Sequence, residues 1–138
     1  MKIRVRAIIV LCEKVLLIHR IKKNDEYWVF PGGGIEDTDE SPEMALVREC
    51  EEELGVKVRI GRLFSSNHLN FEGEDQLEMF FFCEQISGDL GTGNGPEYQP
   101  GSGYKGAYSL EWIELKKLSF LDIRPKDVQE KLSKEGGL

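Results

Sequence analysis

The residues of this sequence best placed to do chemistry are three glutamates, Glu49, Glu52 and Glu53, in a stretch that reads as a helix. At about 100° per residue, pairs at i, i+3 and i, i+4 share one arc of the helix surface, so the three carboxylates can converge on one point. They crowd the C-terminal half of the helix, where the macrodipole is already negative. Glu49 and Glu53 repel as like charges, at a cost of roughly 0.2–0.5 kcal/mol. Arg48 offsets Glu52 at i+4, in the poorer of the two orientations. An acidic face of this kind is either simply solvated or holds a cation. A cation would remove the charge conflict, and carboxylate oxygens are hard ligands suited to Mg²⁺ or Mn²⁺.

The elements that must position these groups can be read around them. Ser41 suits an N-cap and Pro42 the first helical position, and Gly55 suits the residue just past the end. Leu46, Val47, Cys50 and Leu54 form the apolar stripe between them. Ahead of the helix, Tyr27 to Phe30 reads as a short aromatic strand that stops at Pro31. The Gly32-Gly33-Gly34 run after it allows close backbone approach but is not a P-loop, since no Gly-Lys-Ser/Thr follows. Ile3, Val5 and Ala7 alternate with Lys2, Arg4 and Arg6 in a first strand, joined through Cys12-Glu13-Lys14 to a second at Val15 to Ile18. Val56 to Ile60, Gln76 to Glu84 and Tyr108 to Trp112 read as further strands, and Pro125 to Leu132 as a closing helix. Gly88 to Gly106 is a long Gly- and Pro-rich loop, a kind that is commonly functional or disordered. Strands interleaved with helices in this order predict a mixed sheet with helices packed on it, an α/β or α+β fold.

Composition bounds the partners. With 138 residues the chain is expected to form one domain over 1–138. A net charge of −7 argues against a nucleic-acid polymer as partner, because counterion release needs a basic surface. It leaves room for a small anionic molecule held by a metal and a few basic groups. Cys12, Cys50 and Cys83 include no C-x-x-C pair, so they suggest neither a disulfide framework nor a zinc site. Each is expected to fill an apolar position, reduced as in a cytoplasmic protein. Charges interrupt the apolar N-terminal stretch, so neither a secretory core nor a membrane span is expected. His19 and His68 lack partner spacing and receive no role.

Residues 34–56, G-I-E-D-T-D-E-S-P-E-M-A-L-V-R-E-C-E-E-E-L-G-V, resemble the Nudix (MutT-like) box, G-x5-E-x7-R-E-U-x-E-E-x-G-U with U aliphatic. Gly34, Glu40, Arg48, Glu49, Glu52, Glu53, Gly55 and Val56 occupy its fixed positions. Cys50 stands where the family prefers Ile, Leu or Val. The family usually places two residues between P-G-G-G-I-E and the box glutamate, commonly ending in Gly, whereas Asp37-Thr38-Asp39 supplies three here.

The resemblance implies an α/β/α sandwich with a mixed β-sheet. It also implies hydrolysis of a nucleoside diphosphate derivative with Mg²⁺ or Mn²⁺. By the same resemblance Glu52 and Glu53 are the main metal ligands, Glu49 a ligand or water activator, and a carbonyl of Gly33 or Gly34 completes the site. Arg48 would orient the carboxylates and Glu40 support them from the helix start. Glu97 in the long loop is the candidate for a further acid, ahead of Glu74 and Glu78. Arg20 is a candidate for a substrate phosphate, and Tyr27, Trp28 and Phe71 for stacking on a base, although aromatics at strand spacing are more often core. Around Asn70 to Glu74 the Pro or Tyr that marks ADP-ribose or dinucleoside-polyphosphate subfamilies is absent. This leaves a nucleoside triphosphate, oxidised or not, as the expected substrate. ADP-ribose or nucleotide-sugar hydrolysis, and nucleotide sensing without cleavage, are the alternatives. The expected partner is a small nucleotide, without a membrane, for a monomer or homodimer.

Overall fold

The computed structural model of the chain describes residues 1–91 and 107–136, with backbone alone at Phe71, Ala107 and Gly136. The chain separates into two compact units, one built from Met1–Ile9 and the stretch from Pro31, the other from Val10–Phe30 and the C-terminal stretch.

The first unit carries a mixed sheet. Strand β1 (Lys2–Leu11) runs parallel to β6 (Glu74–Gly88) from Lys2↔Gln76 to Ile9↔Cys83. On its other side it pairs antiparallel with a three-residue strand, β4 (Gly32–Gly34), at Arg4↔Gly34, Val5↔Gly33 and Arg6↔Gly32. The triple glycine is thus a strand. A side chain at Gly32 is impossible there, because its Cβ would lie 1.9 Å from the Val5 carbonyl oxygen, and its φ of 149° is open only to glycine.

Strand β5 (Val56–Phe71) pairs antiparallel with β6 along its whole length. Its alternation reads clearly only to Ile60. Beyond that, register shifts between Ile60 and Leu63 and between Leu63 and Ser65 interrupt the period. Bulges of this kind break the two-residue signal without ending the pairing. The β5–β6 turn places Glu72 (φ 52°) and Gly73 (φ 82°) in the left-handed region, as a two-residue hairpin of type I′ sense requires.

Helix α1 (Pro42–Leu54) begins and ends where its caps predict. Ser41 Oγ accepts from Met44 N at 3.1 Å, and Gly55, at φ 78°, donates its N–H to the carbonyls of Cys50 and Glu51. Ala45, Leu46, Cys50 and Leu54 are buried, while Val47 is only half-buried. The buried stripe therefore includes Ala45 in place of Val47. The helix packs on β4 and β5, with Val5, Ala7, Val56, Val58 and Phe80 in the core of this unit.

In the second unit β2 (Lys14–Lys22) lies between β3 (Asp25–Val29) and β7 (Ala107–Glu114), antiparallel to both. A short strand, β8 (Ile123–Arg124), adds parallel to β3, so this sheet is mixed as well. Val15, Leu16, Leu17 and Ile18 are all buried. A run without alternation means that both faces of the strand are covered. The β1–β2 turn holds Cys12 and Glu13 at φ 51° and 63°. Cys12 is exposed there, while Cys50 and Cys83 are buried, so only two of the three cysteines act as small core residues. A 3-10 turn (Leu115–Phe120) leads to β8 and to helix α2 (Lys126–Gly136), which buries Val128 and Leu132. Among the described residues no helix is long and apolar enough to cross a membrane.

Candidate active site

The carboxylates of α1 are organised around one guanidinium. Arg48 Nε donates to Asp39 Oδ1 at 3.1 Å and Nη2 to Asp39 Oδ2 at 2.9 Å, a two-pronged pair. Its Nη1 donates to Glu49 Oε1 at 3.0 Å and to Glu52 Oε2 at 3.1 Å, and its Nη2 also to the Gly34 carbonyl at 3.0 Å. A guanidinium has five N–H donors in a rigid plane, and these five bonds use all of them. Glu36 adds a longer ion pair at 3.5 Å. The surrounding carboxylates raise the Arg48 pKa, its hydrogen bonds to Asp39 most of all.

Burial pushes the Glu49 carboxyl above the ordinary carboxylate range, while Arg48 opposes that rise, Glu52 adds to it and Arg6 lowers it. Its side chain is 16% exposed against 39% for Glu52, so the acidic arc of the helix is not a uniformly solvated face. Glu53 turns toward β4, where its Oε1 accepts the Gly32 N–H at 2.8 Å. Gly33 lies against Glu49, and a Cβ built on it would stand 2.5 Å from the Glu49 carboxyl carbon. The glycine strand thus touches two of the three glutamates and, through Gly34, the arginine that holds Glu49 and Glu52.

The donor set fits a hard divalent cation, since Glu49 and Glu52 already converge on one positive point, Arg48 Nη1, with Glu53 on the next turn of the same arc. As the side chains stand, no three His, Cys, Asp or Glu groups among the described residues meet closely enough to hold a metal.

The helix-start support differs from the one expected. Glu40 is exposed, and its neighbour Asp39 takes Arg48 instead. Asp39 also accepts the Glu36 N–H at 2.8 Å, and its own N–H returns to the Glu36 carbonyl at 3.0 Å. The only sequence signal for this was the extra loop residue before Glu40. Glu78 is held by Arg6 Nε at 3.0 Å across the β1–β6 pair, and Glu74 is exposed at the hairpin. Glu97 lies outside the described residues, as does the side chain of Phe71.

Arg20, Tyr27 and Trp28 belong to the second unit. The Arg124 guanidinium lies 4.1 Å from the Tyr27 ring centre and that of Arg20 5.9 Å. Trp28 stacks on His19 at 4.3 Å, tilted by 7°, and donates Nε1 to Glu111 at 3.1 Å. His19 has both ring nitrogens on carboxylates, Nδ1 at 2.6 Å from Glu111 and Nε2 at 2.9 Å from Glu26. Burial lowers its pKa, but the two carboxylates outweigh that and hold it above its ordinary value. Sequence spacing gave no hint of this, because Glu111 lies on β7, far along the chain.

Residues 1–132 match the NUDIX domain model. The chain is 41% identical over 71 residues to the CTP pyrophosphohydrolase of Escherichia coli K12, covering 50% of this chain and 52% of that protein. It is 38% identical over 68 residues to mouse diphosphoinositol polyphosphate phosphohydrolase 3-alpha, covering 49% of this chain and 40% of that protein. These matches span about half the length of the relatives, or less. Among solved structures, the E. coli ORF135 protein has a TM-score of 0.75 at 26% identity, over 98% of this chain and 89% of that one.

Proposed function

We propose, because the chain belongs to the NUDIX family and has its α/β/α-sandwich fold with a mixed β-sheet, that it is a divalent-metal-dependent pyrophosphohydrolase. Its substrate would be a nucleoside triphosphate, oxidised or not, cleaved to the monophosphate and pyrophosphate. The observation that carries this reading is the set of three glutamates on one arc of α1, Glu49 and Glu52 held by a fully engaged Arg48 and Glu53 by the Gly32 N–H of the glycine strand.

The residues then have separate tasks. Glu52 and Glu53 supply the main carboxylate oxygens for Mg²⁺ or Mn²⁺, with Glu49 as a further ligand or as the water activator. A backbone carbonyl of Gly33 or Gly34 would complete the site. When bound, a divalent cation neutralises the phosphates and acidifies a water ligand. Glu49 has Oε1 tied to Arg48, which leaves Oε2 to accept the proton of the attacking water. Arg48 positions these carboxylates, because all its donors are engaged within the protein. Arg20 remains the candidate for a substrate phosphate, and Tyr27, Trp28 and Phe71 for the base. Trp28 has at most one face to offer, since His19 covers the other. Glu97 remains the candidate for an acid outside the box.

A nucleotide panel with Mg²⁺ and Mn²⁺, scoring phosphate and pyrophosphate, tests the proposal. Pyrophosphate release from nucleoside triphosphates, abolished in Glu53→Gln, is the expected result. Cleavage confined to ADP-ribose or nucleotide sugars would overturn the substrate class. Tight nucleotide binding without turnover would overturn the enzyme reading in favour of a sensor.

A further inference from the structure

We propose that Asp39 is a positioning residue: its carboxylate fixes the Arg48 guanidinium, which in turn sets where the Glu49 and Glu52 carboxylates stand for the divalent cation. This rests on the metal-dependent reading above.

Asp39 occupies a loop position with no fixed identity in the box, yet its side chain is only 7% exposed. It makes three hydrogen bonds, two from Arg48 and one from the Glu36 N–H. A carboxylate gripping both Nε and Nη2 defines the plane of the guanidinium, not merely its position. With the plane set, the two Nη1 donors are aimed at Glu49 Oε1 and Glu52 Oε2. The Gly34 carbonyl fastens the remaining edge. The long loop between Gly34 and the helix therefore closes on itself at Glu36–Asp39 and delivers a carboxylate to the one arginine that spans two metal-facing glutamates. Groups that orient ligands in this way are worth about 10- to 100-fold in metal affinity or activity.

Removing the Asp39 carboxylate would leave two guanidinium donors without acceptors, freeing Arg48 to rotate about the Glu49–Glu52 side. The cost then falls on metal binding rather than on nucleotide recognition. The same loss should not be incurred twice: once Arg48 is gone, Asp39 has nothing left to position.

The test measures Mn²⁺ binding by electron paramagnetic resonance, without nucleotide, in the wild type, Asp39→Asn, Arg48→Gln and the double variant. Mg²⁺ activation, kcat, KM and the melting temperature are recorded alongside. Asp39→Asn should weaken Mn²⁺ binding and raise the Mg²⁺ needed for half activation by about 10- to 100-fold, with KM for the nucleotide within twofold. Asp39→Glu, which keeps the charge, should recover part of the loss, and the double variant should bind no worse than Arg48→Gln. If Asp39→Asn does not fold, Asp39→Ser is read in the same way. Wild-type Mn²⁺ affinity in the folded variant, or losses that multiply in the double variant, overturns the proposal, as does a wild type that binds no Mn²⁺. A wild type that binds Mn²⁺ but turns over no nucleotide overturns the enzyme reading alone.

Discussion

Replacing the three consecutive glycines of β4 by alanine, one at a time, should give three different outcomes, and Gly33→Ala is the informative one. Its new Cβ would lie 2.5 Å from the Glu49 carboxyl carbon and 2.6 Å from each carboxylate oxygen, where ordinary contact begins at 3.4 Å. The carboxyl must retreat by about 0.9 Å (3.4 − 2.5) to make room. The group displaced is the end of a flexible side chain, and no left-handed φ is involved, so the fold should tolerate the change. Loss of unfolded-chain freedom would even favour it by about 0.4–1 kcal/mol. A displacement near 1 Å at a reacting group costs on the order of 100-fold in rate, or about 2.7 kcal/mol of barrier. Gly33→Ala should therefore lose about 100-fold in kcat/KM at an unchanged or slightly higher melting temperature. Gly32→Ala should instead be a folding defect. Its Cβ would stand 1.9 Å from the Val5 carbonyl, and the φ of 149° alone costs roughly 1–3 kcal/mol for a non-glycine residue. Gly34→Ala meets nothing within 4 Å and should match the wild type in both respects. Nucleotide turnover by pyrophosphate release and thermal melting on the same preparations decide the matter. Full activity in Gly33→Ala would refute the placement of Glu49 against the glycine strand as a catalytic constraint.

Three other outcomes follow from the same geometry. The contribution of His19 to stability should be fully present below pH 6.5 and fade as pH rises through its higher folded value, because a raised pKa means the native state holds the proton more tightly. Melting of the wild type against His19→Gln across pH 5–9 reads this, and a pH-independent difference would contradict it. Only Cys12 should react with a thiol reagent in the native protein at neutral pH. Cys50 is buried and its thiol is pushed up, and burial takes the Cys83 thiol to about 12; mass spectrometry before and after unfolding checks this. Leu46→Ala, at a site with no exposure, should cost about 2–5 kcal/mol by denaturant titration.

Helix α1 was legible in the sequence almost residue by residue, because its information is local. Ser41, Pro42 and Gly55 fix the ends through their own backbone and capping preferences, and the period of the apolar residues fixes the buried side. The carboxylate arc follows from the same periodicity, and the box spacing points to the family. Strands β1 and β2 were equally plain, as alternation in one and an unbroken apolar run in the other. What the sequence could not supply were partners distant along the chain or set by loop geometry. The triple glycine cannot be recognised as a strand until β1 is placed beside it, since a strand of three residues has no periodicity of its own. Strand β5 outlasts its alternation because β6 pairs with it through the bulges. Asp39 looks like one more loop acid, and only the closed Glu36–Asp39 turn brings it to Arg48. His19 has no neighbour in sequence that explains it, and its two carboxylates come together only when β2 lies between β3 and β7. Local periodicity and capping settled which residues face together, whereas strand pairing and loop closure settled which of those faces meet.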